Sequence, residues 1–276
     1  MKRITLAAAA MLAVSGTAIA ANSLQSPSLP TMTVAMDGTS ITVGGTLESG
    51  AVNIVSTTTR EKEGDLLLVR LNPGVTAAQL LAAADSPDVQ HDLNNLARYG
   101  AIVVNAAAPR GISAVQTVLQ PGQYAAADAA GDKLPSQQPY TVFTITAAAH
   151  PAALPKPKAT VSAIDFAFTG QKRLHTGDMV RFVNRGHLAH MIILERLARG
   201  ADPGAVITLL RQGKTNEAQK FVTGGFQGQG PVVPGASQQM KLTAGPGTYL
   251  AVCFMETQDG RDHMQLNMVR VIDIVK

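Results

Sequence analysis

Three side chains near the C-terminus of this 276-residue chain offer soft donors at close spacing: the thiol of Cys253, the imidazole of His263 and, five residues further on, the thioether of Met268. Thiolate and imidazole with a distant thioether select copper over the harder divalent ions, provided a second imidazole arrives from elsewhere in the fold. His190, in Asn184-Arg185-Gly186-His187-Leu188-Ala189-His190, is the natural source. His187 is the fallback, although a histidine in a turn is more often exposed. Cys253 is the single cysteine, so no intramolecular disulfide can form and its sulfur is buried, metal-bound or paired with another chain. Plainer roles stand beside these. A histidine opening an apolar strand is often half-buried packing, and Met191, Met255, Met264 and Met268 could be adaptable core filling, whereas as ligands they would favour Cu(I).

Gly247-Thr248-Tyr249 leading through Leu250-Ala251-Val252 to Cys253, then His263 and Met268, with Asn184 six residues ahead of His190, resembles the cupredoxin (blue-copper) family over about residues 159 to 276. The resemblance implies an antiparallel Greek-key sandwich that binds one copper ion, with His190 from an early strand end, Cys253 and His263 from the loop joining the last two strands, and Met268 as the weak axial ligand. Two features depart from the family pattern. Nine residues, Phe254 to Asp262, separate Cys253 from His263 where two to four are usual, and Asn267 stands where a glycine usually precedes the methionine. Lengthening the loop from roughly three to roughly nine residues adds only about 1 kcal/mol of closure entropy. The pair therefore survives if the extra residues bulge outward and return, and is lost if they do not.

The elements that would position these residues occur twice. Met36-Asp37 answers Ile164-Asp165 at an offset of 128, Leu47 answers Leu174 at 127, Leu71 answers Leu197 at 126, and Gly122-Gln123-Tyr124 answers Gly247-Thr248-Tyr249 at 125. A drifting offset is what a duplication with short deletions leaves. Short apolar or alternating runs predict strands at 65–71, 141–145, 179–183, 191–194 and 268–274. Each half also predicts a helical insertion, Thr76–Ala84 and Pro203–Arg211, the second capped by Asp202. The fold class expected is all-β: two tandem Greek-key sandwiches, one over residues 31–149 and one over 159–276, joined by the Pro-rich segment 150–158. On these offsets Asp128 answers Cys253 and Gly64 answers His190, so the first sandwich lacks both donors; His91 falls in its insertion and reads as a surface residue.

Met1-Lys2-Arg3, the apolar run to Val14 and the Ala18-Ile19-Ala20 site predict a cleaved signal peptide over residues 1–20, and hence a periplasmic or secreted protein. No stretch reaches the ~18 apolar residues of a membrane span. A net charge of +4, part of it in the signal peptide, makes no case for nucleic acid. Thr223–Gly230 follows a helix rather than a strand, which excludes a phosphate-cradling loop and reads as a flexible turn. Asp259 and Asp262 read as solubilising the loop. Copper nitrite reductases and multicopper oxidases need His-Cys-His and His-x-His sets, and the six histidines form neither. Cys253 and His263 as a nucleophilic pair lack an orienting third group. The function expected is therefore non-enzymatic: one-electron transfer or copper handling with a redox or copper-exchange protein partner, against the rival of a metal-free cupredoxin-fold binding or scaffold protein.

Overall fold

A computed structural model describes residues 29–59, 63–91, 93–109, 112–131, 133–224 and 227–276. The expected signal peptide lies outside them. No described helix is long and apolar enough to cross a membrane. The chain divides into two compact units, one up to residue 156 and the other from residue 157, with His91–Leu93 grouped with the second.

The first unit contains β1 (Thr31–Met36), β2 (Ile41–Gly45), β3 (Gly50–Thr58), β4 (Glu63–Leu71), β5 (Gly100–Pro109), β6 (Ile112–Leu119), β7 (Gly122–Asp128) and β8 (Tyr140–Ile145). They hydrogen-bond in the orders β2-β1-β3-β6 and β5-β4-β7-β8, with β1 and β3 parallel and the other pairs antiparallel. Helices α1 (Ala77–Ala84) and α2 (Pro87–His91) are inserted between β4 and β5. Thr76 and Gln79 close a capping box at the start of α1, satisfying orphan N–H groups there.

The second unit contains β9 (Ala159–Ile164), β10 (Ala167–Gly170), β11 (Arg173–His175), β12 (Met179–Asn184), β13 (His190–Arg196), β14 (Gln227–Val232), β15 (Ser237–Lys241), β16 (Gly247–Val252) and β17 (Val269–Val275). Its sheets run β10-β9-β12-β15 and β11-β17-β16-β13-β14, with β9 and β12 again parallel. Setting aside β11, strand order and pairing sense match the first unit strand for strand. Helices α3 (Pro203–Arg211) and α4 (Thr215–Gln219) fall between β13 and β14, the place of α1 and α2 in the first unit. The fold is an all-β sandwich in each.

Side-chain alternation along β16 sets the direction of the thiol. Tyr249, Ala251 and Cys253 point into the core between the two sheets, against Val161, Ala163, Phe182 and Ile192. Leu250 and Val252 point to the other face, which α3 and α4 cover with Val206, Leu210 and Ala218. Burial on both faces is why this strand reads as one continuous apolar run. Tyr249 anchors its start, its hydroxyl donating to the Gly245 carbonyl at 2.8 Å; Tyr124 makes the same bond to Gln120, also at 2.8 Å.

One expectation is corrected. Residues 227–230, read as part of a flexible turn, begin strand β14. Its glycines and Pro231 are tolerated because β14 is the last strand of its sheet and, among the described residues, pairs with β13 alone. The Gln227 side chain ties it down, accepting from the backbone N–H groups of Thr243 and Ala244 and donating to the Lys241 carbonyl.

Candidate metal centre

Asn184 explains the interval that ends at His190. Buried at the end of β12, it donates through Nδ2 to the carbonyls of Leu188 and Val232, both at 2.7 Å, and accepts from the Gly186 N–H at 2.9 Å. One amide thus fixes the turn and delivers His190 to the first position of β13. Asp165, in the turn between β9 and β10, supports the same segment. It accepts from the N–H groups of His187 and Leu188, and its Oδ1 lies 3.0 Å from His190 Nε2. Gly186 is required here, since a Cβ at that position would lie 2.3 Å from the Asp165 carboxylate. His187 itself is exposed.

The nine residues between Cys253 and His263 fold on themselves. Glu256 pairs with Asp262 as an antiparallel bridge, the Thr257 N–H donates to Arg261, and Gly260 donates back to Thr257. At the base the His263 N–H donates to the Met255 carbonyl at 2.7 Å. The hairpin therefore adds length without adding distance, and only Phe254 and Met255 separate the thiol from the point where the chain closes. Asp262 is no mere solubiliser: its N–H is held by the Gln265 side chain, its carbonyl accepts from Gln265, and burial and then the Glu256 carboxylate push its carboxyl up to about 6.

His263 opens a single helical turn that ends in a Schellman motif. The Met268 N–H donates to the His263 carbonyl, the Asn267 N–H donates to Met264, and Asn267 takes the left-handed conformation with φ 84°. Asn267 thus takes a conformation usually left to glycine, asparagine being among the side chains best suited to that region. Asn267→Ala is expected to cost about 1–2 kcal/mol and Asn267→Gly much less, a difference that urea unfolding would resolve.

Together these elements bring His190, Cys253 and His263, all fully buried, within 4.8 Å of one another through their donor atoms. The two Nδ1 atoms are 3.1 Å apart, and Cys253 Sγ lies 3.5 Å from that of His263 and 3.9 Å from that of His190. A triangle with these sides has an in-plane centre about 2.0 Å from each corner, close to the about 2.0–2.3 Å bonds that imidazole and thiolate make to a first-row ion. The donor set and its spacing fit a metal. Met268 is buried in the same apolar cluster as Cys253, and its carbonyl accepts the Cys253 N–H at 3.3 Å.

The proton arrangement follows from burial. Burial lowers the His190 imidazole below its ordinary value, against the opposing pull of Asp165. Burial would raise Asp165, but hydrogen bonds from His190, His187 and Leu188 outweigh it and hold the carboxyl below its usual range. A neutral His190 donating from Nε2 to an ionised Asp165 leaves its Nδ1 lone pair facing Cys253 and His263, the tautomer a metal ligand needs. Burial pushes the Cys253 thiol up to about 12, opposed by the Met191 N–H that reaches the sulfur at 3.4 Å.

The first unit holds different residues at the same register. Arg70 faces Tyr124 as Arg196 faces Tyr249, which sets Asp128 opposite Cys253 and Gly64 opposite His190. Asp128 accepts from the Asp65 N–H, just as Cys253 accepts from Met191. Gly64 leaves no room for a ring, because even a Cβ would come within 2.8 Å of Met36 and Thr58.

No family model matches the chain, and no curated protein sequence matches it. Among solved structures it is similar to the dithionite-reduced auracyanin of Roseiflexus castenholzii, with 18% identity over 42% of this chain and 95% of that one and a TM-score of 0.26. Auracyanin B is 21% identical over 45% and 94%, with a TM-score of 0.25. A multicopper oxidase is 9% identical over 89% and 88%, with a TM-score of 0.22. Likeness at this level says nothing about what the chain binds; that question rests on its own side chains.

Two residues that touch the cluster were not singled out from sequence as lying at the site, Asp165 and Phe166. Phe166 has φ 61° and sets its ring edge-on to His263, with centroids 5.2 Å apart. The signal for both was the correspondence of Ile164-Asp165 with Met36-Asp37, carried one residue further: the residue after Asp37 is a glycine.

Proposed function

We propose that the second unit binds one copper ion through His190, Cys253 and His263, with Met268 as a weak fourth ligand, and that the chain is an exported protein of one-electron transfer or copper handling. The observation that carries this is the convergence of three buried soft donors around a centre of bonding radius. Bound copper would supply exchange between Cu(II) and Cu(I). The chain's part is to hold the donors still: Asn184 fixes the approach to His190, the Met255–His263 closure fixes His263, and the core between the sheets fixes Cys253. Full burial keeps water from the donors, which suits a resident ion over one in rapid exchange. We further propose that the two units are tandem cupredoxin-like domains from a duplication. In the first, Asp128 and Gly64 replace donors and the fold is kept without metal.

A second reading is favoured by the same three atoms. The imidazoles also lie at hydrogen-bonding distance from each other, which suits a polar knot in a scaffold protein. Copper titration followed by metal analysis and thermal unfolding separates the two. One copper per chain is expected, with stabilisation of about 4 kcal/mol when free copper exceeds Kd a thousandfold. No retained copper and an unchanged melting temperature would leave the scaffold reading.

A further inference from the structure

We propose that the turn between β9 and β10 presets both imidazoles, Asp165 holding His190 by its carboxylate and Phe166 holding His263 by its ring, with Phe166 also closing the site to solvent. The inference deepens the copper-site reading and rests on it only where copper is the probe.

Phe166 occupies backbone where a bulky side chain is rarely found. Its φ of 61° lies in the left-handed region, where a residue with a Cβ is strained by roughly 1–2 kcal/mol. The first unit joins the corresponding strands through a longer turn, residues 37–40, and there the residue after the aspartate is Gly38, with φ 88° and no such penalty. A phenylalanine kept in a glycine's conformation points to contacts that outweigh the strain, and strain of this kind collects at functional sites. The ring makes such a contact, standing at 89° to His263. Phe166 is half-buried and its ring is in contact with the fully buried His263, so it covers one side of the imidazole.

The aspartates that precede these residues divide in the same way. Asp37 spends its carboxylate within its own turn, accepting from the backbone and hydroxyl groups of Thr39 and Ser40. Asp165 instead reaches across to His190 and to the N–H groups of His187 and Leu188, with Gly186 clearing the approach. The unit that holds no imidazole at the site has a self-contained Asp-Gly turn. The unit that holds two has an Asp-Phe turn directed at both. A carboxylate hydrogen-bonded to a ligand's second nitrogen fixes ring orientation and places negative charge beside the metal, which favours the more highly charged oxidation state.

The test uses the full-length protein and the variants Phe166→Gly, Phe166→Ala and Asp165→Asn. In metal-free protein, the rate at which iodoacetamide alkylates Cys253 is expected to rise roughly tenfold or more in all three as the closed site opens locally. Phe166→Gly should melt no lower than Phe166→Ala, because only glycine relieves the strained φ; simple loss of packing would not give that order. With copper bound, Asp165→Asn should raise the reduction potential and weaken Cu(II) binding by about 10–100-fold while the charge-transfer colour persists. Unchanged alkylation in all three variants would overturn the proposal, as would Phe166→Gly melting below Phe166→Ala or an unmoved potential in Asp165→Asn. A wild-type protein that takes up no copper would sink the copper reading alone, since alkylation and melting order still decide the role of the turn.

Discussion

Wild-type protein loaded with Cu(II) is expected to be intensely coloured by thiolate-to-copper charge transfer, and Cys253→Ser loaded in the same way to be colourless. The expectation is all-or-none because Cys253 is the only thiol in the chain and no other residue can supply the transition. Serine at this position keeps the strand and nearly the same volume, so the metal-free variant should fold. It removes the one soft anionic donor from a set whose copper preference depends on it. The variant should therefore also lose most of the copper-dependent stabilisation expected of the wild type, on the order of several kcal/mol. Visible absorption and thermal unfolding, run with and without copper, read both effects on one sample. A coloured Cys253→Ser protein would show that the absorbing site lies elsewhere.

The second large effect is a pH dependence that copper reverses. Burial raises the Cys253 thiol from its ordinary 9.0 to about 12 in the metal-free protein. A group whose folded value is raised contributes stability that is fully present below its unfolded value and is lost as pH rises through the folded one. The metal-free chain should thus be most stable below about pH 9 and lose on the order of 4 kcal/mol by about pH 12, at 1.4 kcal/mol per tenfold. Cys253→Ala should lack that loss. Copper requires the thiolate, so one proton leaves the thiol on binding, and apparent affinity should rise about tenfold per pH unit below the thiol's own value. Chemical denaturation from pH 7 to 11, with and without copper, checks both slopes. A metal-free stability curve flat through this range would mean that the sulfur is better solvated than the structure shows.

Local chemistry made much of the architecture readable. Pro203–Arg211 is a helix with Asp202 at its cap because proline in the first turn and an acidic cap act within a few residues, and the Asp202 side chain accepts from Gly204 as such a cap should. The five runs read as strands fall within a residue or two of β4, β8, β12, β13 and β17 because they are short and bounded by turns. What sequence could not decide was whether His263 returns to Cys253. That depends on the internal pairing of Thr257, Gly260 and Arg261 and on the closure from His263 to Met255, none of which has a periodic signature. Asp165 lies 25 residues from His190 and Phe166 nearly four times as far from His263, and only the folded sandwich sets the turn against both rings. Residues 227–230 were misread because glycine density signals a turn locally, while the end position of β14, which tolerates it, is a property of the whole sheet.

Copper-edge X-ray absorption on the loaded protein measures the donors around the ion. One sulfur at about 2.1–2.3 Å and two imidazole nitrogens at about 2.0 Å are expected. A first shell of nitrogen and oxygen alone, with no short sulfur, would contradict it.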